Sequence, residues 1–194
     1  MAHLAMIPSP LGMLAIAVSK EGSLCRIEFP LKGHKRDAEA SLHGKTQPVF
    51  ALGCGGLSGK TIDDVCTGNP VMVDVVDQLH RYFEDPQWCF KLPLTLGGTP
   101  FQRRVWRALQ SIPSGKTVAY GTLADALGTS ARAVGNACRA NPIPIVIPCH
   151  RVVGAHDTGG FMGSRADQSL IIKRWLLTHE VPSDTSKECR VFRV

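Results

Sequence analysis

The sequence predicts an α+β protein in two parts, and three observations predict it. Short apolar runs near the N-terminus, GMLAIAV at 12–18 and LCRIEF at 24–29, read as strands. From residue 101 onward the apolar residues recur at helical spacing, in segments punctuated by Gly and Pro. Between the two regimes lies LPLTLGGTP at 92–100, a shift in composition that reads as a linker. The expected organisation is a small N-terminal α/β unit over 1–91, a helical unit over 92–184 and a tail over 185–194. A chain of 194 residues suffices for one medium domain or two small ones sharing an interface.

Gly22 lies between the two N-terminal runs, so they are expected to form a hairpin. Residues 31–70 are polar and then Gly-rich, which predicts an irregular connection. VMVDVVDQLHRYF follows, with Val71, Val75, Leu79 and Phe83 at helical spacing, and is expected to cover the hairpin. FQRRVWRALQSI is an amphipathic helix. Phe101, Val105, Leu109 and Ile112 form its stripe, the arginines 103, 104 and 107 lie largely off it, and Pro113 and Gly115 end it. YGTLADALG and SARAVGNACRAN then read as two short helices about Gly128, with Thr129 or Ser130 as the cap of the second. Helix, tight glycine turn, helix is the helix-turn-helix pattern.

Composition narrows the class. With 44% hydrophobic residues the chain can build a packed core. The seven cysteines are odd in number and show no CxxC spacing, which argues against a disulfide framework and a cysteine-rich zinc site. The N-terminus has no basic leader and is broken by Pro8 and Pro10, so no signal peptide is expected. No apolar run is long enough for a bilayer, so no membrane partner is expected. A reducing interior follows: the cytoplasm, or the nucleus in a eukaryote.

The formal charge of +6 and the pI near 9.1 fit nucleic acid, and the charge is concentrated. Over 101–140 stand Arg103, Arg104, Arg107, Lys116, Arg132 and Arg139 against the acid Asp125. A solvated helical face would account for some of this, but its place beside a helix-turn-helix favours DNA. The second helix is unusual for a base reader, since it offers Ala131, Ala133, Gly135, Ala137 and Ala140 instead of long polar side chains. Small residues allow close approach to a backbone. Contact with DNA shape, in the minor groove, is expected, with packing against a neighbouring helix as the competing reading.

The segment NPIPIVIPCHRVV at 141–153 carries the chemistry. Pro142, Pro144 and Pro148 restrict the backbone, and a stiff extended rod is expected. Cys149 stands at its end beside His150, the pairing a thiol nucleophile needs. The competing reading is an inert buried cysteine, the commoner fate of a lone one. Neighbours on an extended chain point apart, so His150 reaches the sulfur through a turn or a water. Glu180, after QSLIIKRWLLTH, is the candidate to orient the imidazole, against the alternative of a solvated surface carboxylate. Leu170, Ile171, Trp175 and Leu176 are expected to form the packed face of that last helix.

The stretch ARAVGNACRANPIPIVIPCHRVVG, with GTPFQRRVWRALQSIPSGKTVAYGTLADALG before it and KRWLLTHE after it, resembles the O6-alkylguanine-DNA alkyltransferases. The match covers roughly residues 92–181, and its PCHRV core is highly specific. The resemblance implies a small ribonuclease-H-like N-terminal domain followed by a helical domain. It implies a single, irreversible transfer of an alkyl group from O6-alkylguanine in double-stranded DNA, with O4-alkylthymine as a further candidate, to the protein's own Cys149. His150 corresponds to a base acting through water, Glu180 to its carboxylate partner and Asn141 to a hinge. Tyr120 corresponds to the tyrosine that assists the departing guanine, and Arg132 to a finger filling the gap left by the flipped nucleotide. Gln102, Arg103 and Gly121 fall where the DNA backbone is approached.

The loop GGFMGSRADQS departs from the family by carrying Phe161 where tyrosine is usual and by its extra length; Phe161 and Ser164 are the pocket candidates. Some members hold a zinc in the N-terminal domain. Cys25, His34 and His80 share no ligand spacing, so no metal is expected, no cofactor is needed, and the chain is expected to act as a monomer. The rival readings are a non-catalytic damage sensor, in which the cysteine is replaced, a helix-turn-helix transcription factor, and a thiol hydrolase, which would need an oxyanion hole.

Overall fold

The computed structural model describes residues 2–29, 69–162 and 167–181. The tail, His34, Ser164 and nearly all of the connection expected over 31–70 lie outside the described residues.

Three antiparallel strands open the chain: β1 (His3–Ser9), β2 (Gly12–Val18) and β3 (Leu24–Glu28), in that order across the sheet. The pattern reading found β2 and β3 but not β1, whose run is interrupted by Pro8. A proline is tolerated there because β1 is an edge strand. Gly12, at φ +94°, closes the first hairpin, and Gly22, at φ +73°, lies in the second turn as expected. Register puts Ala5 opposite Ile16, Ile7 opposite Leu14, and Ile16 opposite Ile27, so one apolar face is continuous across the sheet.

Helix α1 (Pro70–Glu84) covers that face. Asn69 caps it, accepting from the amides of Val71 and Met72, and Pro70 supplies the first turn. Its buried face runs through Met72, Val75, Val76, Leu79 and Tyr82, so the expected stripe holds at Val75 and Leu79, whereas its end members Val71 and Phe83 are only partly buried.

Residues 92–100 are not a free tether. The amide of Leu24 donates to Pro93 O at 2.8 Å, and that of Thr95 donates to Leu24 O at 3.0 Å. The Gln78 side chain also holds both backbone groups of Lys91. An exposed strand edge leaves its polar groups unpaired, and this segment satisfies both backbone groups of Leu24 at the start of β3. Farther along β3, the amide of Ile27 donates to Pro142 O at 2.9 Å, which ties the N-terminal sheet to the segment carrying Cys149.

Four more helices and a two-stranded parallel pair follow among the described residues. Helix α2 (Pro100–Gln110) starts in a capping box between Thr99 and Gln102. Gly98 (φ +101°) must be glycine, because a Cβ there would stand 2.8 Å from the Trp106 ring. Helices α3 (Tyr120–Ala126) and α4 (Ala131–Arg139) meet about Gly128 at φ +61°, and Ser130 caps α4. This is the expected helix-turn-helix. The strands β4 (Val118–Ala119) and β5 (Val152–Val153) pair in parallel and are too short to register as a pattern. Helix α5 (Asp167–His179) ends just before Glu180. Its buried face is Ser169, Ile172, Lys173 and Leu176, whereas Ile171, expected inside, is 59% exposed.

Among the described residues, no helix is long and apolar enough to cross a membrane. Among the described residues, Cys25, Cys138 and Cys149 stand outside any disulfide, whereas Cys89 is disulfide-bonded, which corrects the reading drawn from the odd cysteine count.

Candidate active site

The segment before Cys149 is a compact turn, not the extended rod its prolines predict. The amide of Ile147 donates back to Ile143 O at 2.9 Å, and Ile145 sits at φ +75°, the left-handed region that a β-branched residue seldom adopts. Asn141 holds this shape. It is buried, its Oδ1 accepts from the Ile143 amide at 3.0 Å, and its Nδ2 donates to Ile147 O at 2.8 Å. Proline removes backbone donors from such a segment, and one side chain supplies the missing bonds.

The chain then makes a 3-10 turn over Cys149–Arg151. The backbone therefore turns where an extended chain would have set the Cys149 and His150 side chains on opposite sides. Both side chains are buried. The His150 Nε2 lies 2.9 Å from Glu180 Oε1. A carboxylate accepts, so Nε2 carries the proton and Nδ1 holds the free lone pair. Among the described residues, Nδ1 has no hydrogen-bond partner.

Glu180 is the hub of a buried network. Arg151 grips it with two parallel bonds, Nε to Oε2 and Nη2 to Oε1, each 2.9 Å. The Tyr82 hydroxyl donates to Oε1 at 2.8 Å, and the amide of Gly115 approaches Oε2 at 3.5 Å. Burial pushes the Glu180 carboxyl up, but its bonds to His150 and Arg151 outweigh that and hold it below the ordinary carboxylate range. Burial also drives His150 below its ordinary value, against the opposing pull of Glu180.

The two shifts act in one direction on stability. An unfolded chain takes up a proton at His150 below about pH 6.5 and at Glu180 below about pH 4.3, while the folded protein resists both. Stability is therefore full above the first value and falls as the pH drops through it. Between about pH 7.5 and about pH 5, thermal unfolding of the wild type is expected to shift down further than that of His150→Gln. Equal losses in the two proteins would remove His150 from this account.

A pocket of about 320 Å³ opens on Cys149 and is walled by Tyr120, Gly135, Cys138, Gly160 and Phe161. That is room for a nucleobase. Two of its glycines leave no room for a side chain as the chain stands: a Cβ on Gly154 would collide with the Asp157 side chain, and one on Gly159, at φ +67°, would meet the Tyr120 ring at 2.9 Å. Lys173 underlies the wall. It is fully buried, and its ammonium donates to Val152 O at 2.7 Å and Gly160 O at 3.1 Å, 5.8 Å from the Tyr120 ring centroid. Burial brings its pKa down to about 8, opposed by interaction with Cys149, so at neutral pH it remains largely a cation close to the sulfur.

The structure brings Cys149, His150, Glu180, Asn141 and Tyr120 into one region, with Phe161 buried against the pocket. Arg132 is exposed in the first turn of α4, and Arg103 and Gly121 are exposed on α2 and α3. The Gln102 Oε1 is engaged in the cap of α2, accepting from the Thr99 amide at 2.8 Å. The small residues of α4 divide: Ala137 packs in the core, and Gly135 and Ala131 line the pocket. Sequence reasoning missed Arg151, Lys173, Tyr82, Cys138 and Met162. A signal existed for Lys173, a charged residue on the same helical stripe as Ile172, Leu176 and Glu180. Nothing local marked Tyr82.

The profile of the 6-O-methylguanine DNA methyltransferase ribonuclease-like domain matches residues 3–96, and that of the same family's DNA binding domain matches residues 100–181. The methylated-DNA--protein-cysteine methyltransferase of Salmonella typhimurium is 37% identical over 180 residues, covering 90% of this chain and 92% of the relative. The O6-methylguanine methyltransferase of Mycobacterium tuberculosis superposes with a TM-score of 0.68 at 33% identity, over 95% of this chain and 97% of that one. A structure of the M. tuberculosis OGT in complex with DNA superposes with a TM-score of 0.65 at 33% identity, over 92% of each chain.

Proposed function

The chain belongs to the 6-O-methylguanine DNA methyltransferase family, and from that premise we propose that it repairs DNA by moving an alkyl group from O6-alkylguanine to its own Cys149. The observation that carries this reading is a base-sized pocket lined by Cys149 and Tyr120, with the buried His150–Glu180 pair starting at the residue after Cys149.

The base enters the pocket flipped out of the duplex, since the alkylated atom is out of reach inside the stack. His150 Nδ1, the free basic nitrogen, takes the thiol proton through a water. The Cys149 sulfur attacks the alkyl carbon in line. A C–S bond forms as the O6–C bond breaks, and the electron pair of that bond leaves with the guanine, supported by Tyr120. The Glu180 carboxylate holds the imidazole in the productive tautomer and stabilises the imidazolium, while Lys173 adds positive charge near the developing anions. The displacement balances between thiolate and substrate, so it draws on no cofactor. The thioether product is stable, and each protein acts once as a monomer.

Residues 92–184 carry this chemistry in our reading, on a scaffold completed by 1–91. Arg103, Arg132, Gln102 and Gly121 form the DNA face, with Arg132 filling the space of the flipped nucleotide from the minor-groove side. Arg132→Ala is expected to slow repair of duplex DNA by about tenfold or more, with little effect on transfer from free O6-benzylguanine. Single-turnover rates on the two substrates check it, and equal losses on both would end the finger role. The function itself is tested by intact-protein mass after mixing with a duplex carrying one O6-methylguanine. The expected gain is a single methyl group per chain. Tight lesion binding with no gain would point to a damage sensor.

A further inference from the structure

We infer that Tyr82, from the N-terminal unit, is a positioning residue for the reaction centre: its hydroxyl shares Glu180 Oε1 with His150 and so sets how strongly the carboxylate pulls on the imidazole. The inference rests on the reading of His150 as the base.

Tyr82 sits on the buried face of α1 and is fully enclosed. Its ring is held by Phe83, Phe90 and His179, with centroids 5.4–5.5 Å away. The His179 Nε2 is 2.9 Å from the Tyr82 carbonyl, which pins the backbone as well. A phenol locked in this way has little freedom to aim its hydroxyl elsewhere. The aim it has, 2.8 Å from Oε1, crosses from one half of the chain to the other. A merely structural buried hydroxyl needs any acceptor. This one bonds to the same oxygen that accepts from His150 Nε2.

That sharing has a chemical consequence. Oε1 accepts from Tyr82, His150 and Arg151, and Oε2 from Arg151 and weakly from Gly115. The remaining charged and titratable groups near the pair are Lys173 and His179 on α5 and the Cys149 thiol beside His150. Each donor drains charge from the carboxylate. With fewer donors, Oε1 binds the imidazole N–H more strongly, and the imidazolium is favoured over the neutral ring. A base that is already protonated at working pH cannot accept the thiol proton. Tyr82 thus helps keep His150 neutral and competent, and the N-terminal half contributes a side chain to the centre.

The test is single-turnover transfer from duplex O6-methylguanine DNA, measured over roughly pH 5 to 9 in wild type, Tyr82→Phe and His150→Gln. In Tyr82→Phe the acid limb is expected to move up by about one unit, so transfer below its midpoint slows about tenfold while the alkaline rates converge. With 3-fluorotyrosine at position 82, a stronger donor of nearly the same shape, the limb is expected to move the other way, a graded response that loss of packing does not produce. Superimposable profiles in all Tyr82 proteins would overturn the inference, even with a lowered melting temperature. If His150→Gln transfers at the wild-type rate, the base reading itself is lost. If His150→Gln is inactive and Tyr82→Phe keeps the wild-type profile, only Tyr82 loses its role.

Discussion

Cys149→Ala is expected to end alkyl transfer while leaving binding to duplex DNA in place. In the proposed transfer the sulfur is the atom that forms the new bond, and no other side chain lining the pocket is equipped to replace it. Cys138 is the obvious stand-in, since it lines the same pocket. Burial raises its pKa, interaction with Cys149 raises it further, and among the described residues no imidazole bonds to it. It therefore stays a protonated thiol. Removing the nucleophile from covalent catalysts of other kinds costs on the order of a millionfold, and a loss of that scale takes the transfer below detection. The fold should survive, because deleting one small buried sulfur costs about 1 kcal/mol. Intact mass after incubation with O6-methylguanine duplex, alongside a binding isotherm, measures both halves of the expectation. A methyl gain persisting in the variant would remove Cys149 as acceptor, and peptide mapping would show whether Cys138 had taken the group.

Asn141→Ala should act on stability and transfer together. The substitution strips the Ile143 amide and the Ile147 carbonyl of their partners inside a buried turn. Each orphaned group costs about 1–3 kcal/mol, so a destabilisation of about 3 kcal/mol is expected. For a chain of this size that lowers the melting temperature by about 6–12 °C. The turn also holds Ile145 in its strained left-handed conformation, a state that persists only where its surroundings enforce it. Once released, the segment would no longer present Cys149 beside His150, so single-turnover transfer should fall even in the folded fraction well below the melting temperature. A variant melting within a degree or so of wild type would show that the amide clamp is not what holds the turn.

How much of this was legible beforehand varies residue by residue. The β2–β3 hairpin, the helices after residue 100 and the glycine turn between α3 and α4 were readable, because period, caps and breakers are local properties of neighbouring residues. Cys149 and His150 were readable because they are adjacent in a distinctive setting, and Glu180 because a carboxylate ending an apolar helix is conspicuous. The strand β1 was hidden by Pro8, which an edge position tolerates. The expectation of a rod before Cys149 failed because proline restricts dihedral angles without choosing among the turns they permit; the Asn141 side chain makes that choice. The buried faces of α1 and α5 met the expected stripes only at Val75, Leu79 and Leu176, since a face is settled by what packs against it. The partners of Glu180 were the least accessible. Tyr82 is 98 residues away and Arg151 is 29, and hydrogen bonds over such distances leave no periodic trace in the chain. Local pattern thus singled out Cys149 and His150 as candidates, and the resemblance carried by the PCHRV stretch supplied their expected roles. The sheet, the linker paired along β3 and the packing of α5 together chose which side chains surround them, because burial and hydrogen-bond geometry exist only once distant segments have met.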